Sequence, residues 1–244
     1  MKNVLITGSS KGIGASIAQK LADQSYNVFL TGRNSQRLFD LQKKINVKGF
    51  LAGNLLEEGF CEQLCKTAKA TMGSIDVLIN NAGDYYWSPV EKTDKQYLER
   101  LLKLNLQVPY ELCSLVAEDM KKNKFGRIVN IGSISGSIGE ANASLYSTTK
   151  SGLIGMTKAL AIELAEYSIT VNIINPGWVN TELAQECFEK GIFDKQEQLD
   201  ATPQKRFIEP EEIAFLVEYI VSDKAKGLTG QSLNLCAGLS LGVI

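Results

Sequence analysis

Tyr146 and Lys150 stand four residues apart, and Ser133 lies thirteen residues before the tyrosine, in a chain of 244 residues that contains no histidine. A tyrosine hydroxyl can give a proton to a carbonyl oxygen or take one from an alcohol, but a free pKa of about 10 keeps it protonated near neutrality. A lysine four residues on along a helix projects from the same face, and its positive charge favours tyrosinate. Ser133, on a loop at a predicted strand end, can hydrogen-bond a substrate oxygen. Such a trio alone is a weak pattern. It gains meaning from Thr7-Gly8-Ser9-Ser10-Lys11-Gly12-Ile13-Gly14 near the N-terminus, a cradle suited to a dinucleotide.

These residues need a scaffold, and the hydrophobic pattern predicts one. Short apolar runs at 4–6, 28–31, 47–51, 77–79, 127–131, 169–174 and 232–235 read as strands. Between them, apolar residues recur at helical spacing: Ile13, Ile17 and Leu21; then Leu38, Leu41 and Ile45. Further helices are expected over 58–72, 94–122 (with room for an interruption), 147–167 and 210–221. Continuous apolar strands alternating with amphipathic helices indicate a parallel sheet covered on both faces. The expected fold is α/β: a Rossmann-like three-layer α/β/α arrangement with a central parallel sheet, forming a single domain over 1–244. The segment 176–208, with Trp178, Phe188, Phe193 and Phe207 among charged residues, is too long for an ordinary connection. It reads as a substrate lid, or else as a surface excursion packed by its own aromatics.

Composition removes several classes of function. With 26 basic and 27 acidic residues the formal charge is −1, which supports neither a nucleic-acid nor an acidic-membrane partner. The basic group Lys121, Lys122, Lys124 and Arg127 reads as a solvated helix end. Cys61, Cys65, Cys113, Cys187 and Cys236 have the spacing of neither a disulfide framework nor a zinc site. Cys61 and Cys65 share a helical face with Leu64 and Ala68, and Cys236 reads as a small buried apolar residue. No metal is expected. The apolar part of the N-terminus is too short for a signal peptide and no run reaches transmembrane length, so a cytoplasmic location is expected.

Gly8, Gly12 and Gly14 follow the first strand and open the first helix, where glycine permits a tight turn and close approach of backbone to phosphate. The helix N-terminus offers free N–H donors to a pyrophosphate. At the end of the second strand an acidic residue would suit the ribose diol of NAD, but the sequence there is Thr31-Gly32-Arg33-Asn34. Arg33 and Lys11 instead suit the 2'-phosphate of NADP.

With these pieces in place, the chain resembles the short-chain dehydrogenase/reductase family over essentially its whole length. The resemblance rests on TGSSKGIG at 7–14, NNAG at 80–83, Asn105, Ser133, YSTTK at 146–150 and Asn175-Pro176-Gly177 before Thr181. It implies that Tyr146 is the acid/base, that Ser133 orients the substrate oxygen, and that Lys150 binds the nicotinamide ribose and lowers the tyrosine pKa. It also implies that Asn105 holds a water of a proton relay. The cofactor residues it implies are Gly8, Ser10, Lys11, Gly12, Ile13, Gly14, Arg33, Asn54, Leu55, Asn81, Ala82, Gly83, Pro176, Gly177, Val179 and Thr181, together with Tyr146 and Lys150. Asn54 stands where the family often has an acidic residue, and Leu235-Cys236-Ala237-Gly238 replaces the usual acidic/glycine ending.

Within the family, 126–161 and Gly230-Gln231 are similar to bacterial 3-oxoacyl-[acyl-carrier-protein] reductases. That implies NADPH-dependent reduction of a 3-oxoacyl thioester, carried on acyl-carrier protein or coenzyme A, by a homotetramer or homodimer. Tyr85-Tyr86-Trp87 and Trp178 suit an apolar or ring-shaped pocket, or stacking on a sugar, and equally suit packing of the lid against the core; a cyclic or small ketone or a sugar-derived substrate is the competing expectation. A non-catalytic dinucleotide-binding protein is the alternative from another class. An intact Ser133, Tyr146 and Lys150 set argues against it.

Overall fold

The protein is described here by a computed structural model covering residues 1–242. Seven apolar runs form β1 (Asn3–Ile6), β2 (Asn27–Gly32), β3 (Gly49–Ala52), β4 (Val77–Asn80), β5 (Gly126–Ile131), β6 (Ile169–Pro176) and β7 (Ser232–Leu235). All pair in parallel in the order β3-β2-β1-β4-β5-β6-β7. The helices are α1 (Gly12–Asp23), α2 (Ser35–Lys44), α3 (Phe60–Met72), α4 (Lys95–Leu102), α5 (Val108–Asn123), α6 (Ser135–Ile138), α7 (Ser144–Leu164), α8 (Glu182–Glu189), α9 (Lys195–Ala201) and α10 (Pro210–Val221).

The three layers follow from alternation along the strands. Val4 and Ile6 of β1 join Ile17 and Leu21 of α1 and Ile213 and Val217 of α10 in one core, whereas Leu5 faces Leu64 of α3, Leu112 of α5 and Leu164 of α7 in the other. Successive strand residues are buried on opposite faces, so both faces must be covered, as a parallel sheet requires. Strand order reverses between β1 and β4. Their C-terminal ends therefore open a crevice where ligands bind in folds of this kind.

Local departures have local causes. The third strand begins two residues later than the apolar pattern suggests, and α3 starts at Phe60 because Gly59 before it takes φ +75°. The expected 94–122 helix is broken into α4, a π-helical turn over Lys103–Gln107, and α5. Pro109 at the start of α5 lacks the N–H that would bond the Asn105 carbonyl, and the helix widens there. Arg127 corrects the reading of a solvated basic cluster. It lies in β5, 3% exposed, with its guanidinium 4.4 Å from the Phe125 ring centroid and donating to the carbonyls of Gly126 and Ser168. Lys121 and Lys122 remain at the surface in ion pairs with Glu163 and Glu118.

All five cysteines are free and buried. Cys61 and Cys65 lie with Leu64 and Ala68 in the core, and burial pushes both thiols up to about 12. Among the described residues no group of His, Cys, Asp and Glu is placed to hold a metal ion, and no helix is long and apolar enough to cross a membrane.

Candidate active site

Two adjoining clefts open at the C-terminal ends of the strands. The first, about 240 Å³, is lined by Gly8, Ser10, Lys11, Gly12, Ile13, Arg33, Asn54, Leu55, Asn81, Ala82, Gly83 and Thr181. Its floor is the crevice between β1 and β4. Gly8 has φ +63°, and a Cβ there would sit 2.9 Å from the Ala82 Cα; a Cβ on Gly14 would fall 2.4 Å from the Gly8 carbonyl oxygen. The turn is thus drawn against the 81–83 strand end, which Asn81 secures by donating to the carbonyls of Thr7 and Gly8 at 2.9 and 3.0 Å. No side chain caps α1, and its first turn holds no acidic residue. The free N–H groups of a helix start suit an anion, so the residues present fit a dinucleotide pyrophosphate.

The second cleft, about 300 Å³, shares Ile13, Thr181 and Leu183 with the first. Ser133, Tyr146, Pro176, Gly177 and Val179 line it, beside Tyr85, Trp178, Phe193 and Glu140. Trp178 packs against Phe188, Phe193 and Phe207 beneath α8 and α9. The aromatics of 176–208 pack together, and two of them, Trp178 and Phe193, also line the cavity. Of the aromatic trio at 85–87, only Tyr85 faces that cavity. Tyr86 stacks on Tyr97, with centroids 4.4 Å apart, and Trp87 lies edge-on to Phe193.

Tyr146 sits near the start of α7 and Lys150 one turn on, 5% exposed, where its ammonium donates to the Ile131 carbonyl at 2.9 Å. Burial pushes Tyr146 up to about 12, with the Ser133 hydroxyl pulling the other way, and pushes Lys150 down to about 8. The resemblance implied a lowered tyrosine. In the structure the ammonium is committed to a carbonyl 19 residues away, and desolvation of the phenol outweighs it.

Asn105 lies in the π-helical turn, a feature frequent at functional sites. Its Oδ1 accepts from the Asp84 N–H, and its Nδ2 donates to the Asp84 carbonyl and the Thr149 hydroxyl. Both Nδ2 protons are thus used within the protein, and Asn105 ties the strand-end loop to α7. A Cβ on Gly83 would lie 3.3 Å from Asn105 Oδ1 and 3.5 Å from Lys150 Nζ. The NNAG turn, the π turn and α7 thus converge behind both clefts.

The adenosine end of the first cleft differs from the simplest expectation. Lys11 pairs with Glu182 at 3.0 Å and Glu186 at 3.7 Å, both on α8. Arg37 of α2 holds the same Glu182 carboxylate at 2.9 and 3.0 Å, and the hydrogen bonds from Arg37 and Lys11 lower its pKa. Arg33 lies on the cleft wall. Asn54 also lines the cleft, with its Oδ1 accepting from the Leu56 N–H. Sequence reading missed Arg37, Glu182 and Glu140. Charged residues at these positions look like ordinary surface until the chain is folded, and no spacing joins 37 to 182.

Fold, clefts and the Ser133–Tyr146–Lys150 grouping together define a dinucleotide-dependent oxidoreductase, and comparison with known proteins agrees. Residues 2–191 match the family model for short chain dehydrogenase, and the chain belongs to that family. It is 33% identical over 243 residues to the 3-oxoacyl-[acyl-carrier-protein] reductase FabG of Staphylococcus epidermidis, covering 98% of each chain. It is also 33% identical to the uncharacterized oxidoreductase YxjF of Bacillus subtilis, covering 96% of each. A crystal structure of an actinorhodin polyketide ketoreductase variant with NADPH superposes with a TM-score of 0.94 at 30% identity, covering 98% of this chain and 97% of that one.

Proposed function

We propose that this enzyme uses NADPH to reduce a ketone to a secondary alcohol, and that its substrate is a 3-oxoacyl thioester, borne on acyl-carrier protein or coenzyme A. The observation that carries the reading is the junction of the two clefts at Ile13, Thr181 and Leu183, with Ser133 and Tyr146 on the wall of the larger one. When bound, NADPH supplies the hydride that the carbonyl carbon receives. Tyr146 donates its proton to the carbonyl oxygen, and the Ser133 hydroxyl fixes that oxygen in place. Lys150 would hold the nicotinamide ribose through its ammonium, and Asn105 holds α7 against the 84 loop. Residues 176–208 act as a lid that excludes water.

The names of the FabG and polyketide relatives support the acyl class. The aromatic wall of Tyr85, Trp178 and Phe193 favours a second reading, a cyclic ketone or sugar-derived substrate that stacks on those rings. A panel of acetoacetyl and longer 3-oxoacyl thioesters, cyclic ketones and keto sugars, each with NADPH and NADH, decides between them. Turnover of another class with no thioester reduced would reject the acyl assignment.

NADP preference rests on the absence of a carboxylate at the end of β2 and on Lys11 and Arg33 beside the cleft. In the double substitution Lys11→Ala and Arg33→Ala, KM for NADPH is expected to rise roughly 10- to 100-fold, as two charge-assisted bonds are lost. KM for NADH should stay within about twofold. An equal rise for both cofactors would overturn the preference.

Assembly as a homodimer or homotetramer through α5 and α7 is supported by Tyr110 and Ile162, which stand 60% and 82% exposed on those helices; a monomeric solution mass would reject it. Five free thiols fit a reducing cytoplasm.

A further inference from the structure

The substrate cavity is largely apolar, yet one carboxylate stands in its wall that the proposed reaction does not use. Glu140 lies in the loop between α6 and α7. Its Oε1 accepts from the Tyr85 hydroxyl at 2.5 Å and its Oε2 from the Ser135 hydroxyl at 2.6 Å. Ser135 Oγ is in turn 3.1 Å from Ser133 Oγ. A serine hydroxyl has one proton, and that of Ser135 goes to the carboxylate, so Ser133 is the donor in the second bond when no substrate is bound, and it turns that proton to the carbonyl oxygen when a ketone enters. The Ser135 N–H donates to Ser133 Oγ at 3.2 Å. The chain therefore has one polarity, with Glu140 as its terminal acceptor.

A second branch leads to the same place. The Tyr85 ring stands edge-on to the Tyr146 ring, with centroids 4.9 Å apart at 75°. The Ser133 hydroxyl, which bears on the Tyr146 phenol, and Tyr85 are thus both anchored to one carboxylate.

We propose that Glu140 is a positioning residue that governs the proton on Tyr146, acting through Ser133, Ser135 and Tyr85, and so sets the pH range in which each direction of the reaction runs. The inference rests on Tyr146 being the acid/base. Glu140 acts in two ways of the same sign. Its negative charge disfavours tyrosinate, and it draws the single Ser133 proton toward Ser135, away from the phenolic oxygen. Both keep Tyr146 protonated, the state a carbonyl reductase needs.

The other groups facing Tyr146 do not replace it. Asp84, from the loop after β4, acts in the same direction. Cys187 of α8 is a thiol that burial holds protonated. Lys150, on the tyrosine's own helix, opposes them but is bonded to Ile131. The Asp84 Oδ1 accepts from the Tyr85 N–H at 3.0 Å, but Glu140 is the carboxylate that holds the Tyr85 hydroxyl and, through Ser135, the Ser133 hydroxyl.

The test is Glu140→Gln, which keeps the side-chain shape and an acceptor for Ser135 while removing the charge. The readout is the pH profile of kcat/KM for ketone reduction and for alcohol oxidation, measured with NADPH and NADP. The limb assigned to Tyr146 should move to lower pH in both directions, on the order of one unit. Oxidation at a fixed pH below that limb then rises up to about tenfold. Ser135→Ala, which cuts the chain but leaves the carboxylate, should move the limb the same way by less, and decides the matter if the glutamine variant does not fold. A fall in activity with the limb unmoved would make Glu140 a loop pin and overturn the proposal. Full turnover in Tyr146→Phe would instead overturn the acid/base reading beneath it.

Discussion

Tyr146→Phe should lower turnover in both directions by about a thousandfold while NADPH binding, followed by fluorescence titration, stays within about threefold. The substitution removes one oxygen and keeps the ring that packs against Tyr85. What is lost is proton donation in the transition state, an effect that typically amounts to 10²–10⁴-fold. No histidine exists in the chain to take over, and Lys150 donates to the Ile131 carbonyl. The pH dependence has a definite sign. With Tyr146 pushed up to about 12, ketone reduction, which needs the protonated form, should be insensitive to this group through neutral pH. Alcohol oxidation, which needs tyrosinate, should climb with pH over the same range. Turnover within tenfold of wild type in Tyr146→Phe would remove the tyrosine from the mechanism.

Lys150→Met is expected to abolish turnover and yet stabilise the fold. The lysine is 5% exposed, and burial lowers its pKa from 10.5 to about 8. Below pH 8 the folded and unfolded states both carry the charge, and the full cost of burying it is present. Between about 8 and 10.5 the folded state gives up its proton first, the unfolded state binds more, and stability rises with pH. At pH 7 the penalty is about 3 kcal/mol. Methionine fills a similar length without charge but leaves the Ile131 carbonyl without its donor, at a cost of about 1 kcal/mol. The net gain is about 2 kcal/mol, or roughly 5 °C in Tm for a domain of this size, and wild type should narrow the gap as pH approaches 10. Thermal melts of both proteins at pH 7 and pH 9.5 check this. A less stable variant at pH 7 would show that the ammonium is compensated by more than one carbonyl. A stabilised, inactive protein would show that the site retains a costly charge for chemistry.

Most of the fold was legible because a parallel sheet buried on both faces needs uninterrupted apolar strands. All seven runs, from 4–6 to 232–235, became strands of one sheet. Arg127 was misread because a strand-borne arginine that stacks on Phe125 and reaches Ser168 looks, in sequence, like the end of the lysine run before it. The π-helical turn at Lys103–Gln107 was only half visible. The pattern over 94–122 left room for an interruption, but showed neither its place, nor the wider turn, nor the burial of Asn105.

The site divides in the same way. The cradle, the tyrosine–lysine pair and Ser133 could be found in the sequence because each is a local device whose spacing carries its geometry: a glycine turn, a single helical turn, a strand end. The sequence by itself therefore determined the class of chemistry and the sheet that supports it. Only the tertiary structure decided how that chemistry is tuned. Burial moves Tyr146 up and Lys150 down. Glu182 reaches Lys11 and Arg37 across the cleft, and Glu140 gathers Ser135 and Tyr85 from separate segments. Desolvation and Coulomb interaction depend on distance in space and on the medium between charges. Residues 145 positions apart acquire both only when the chain has folded.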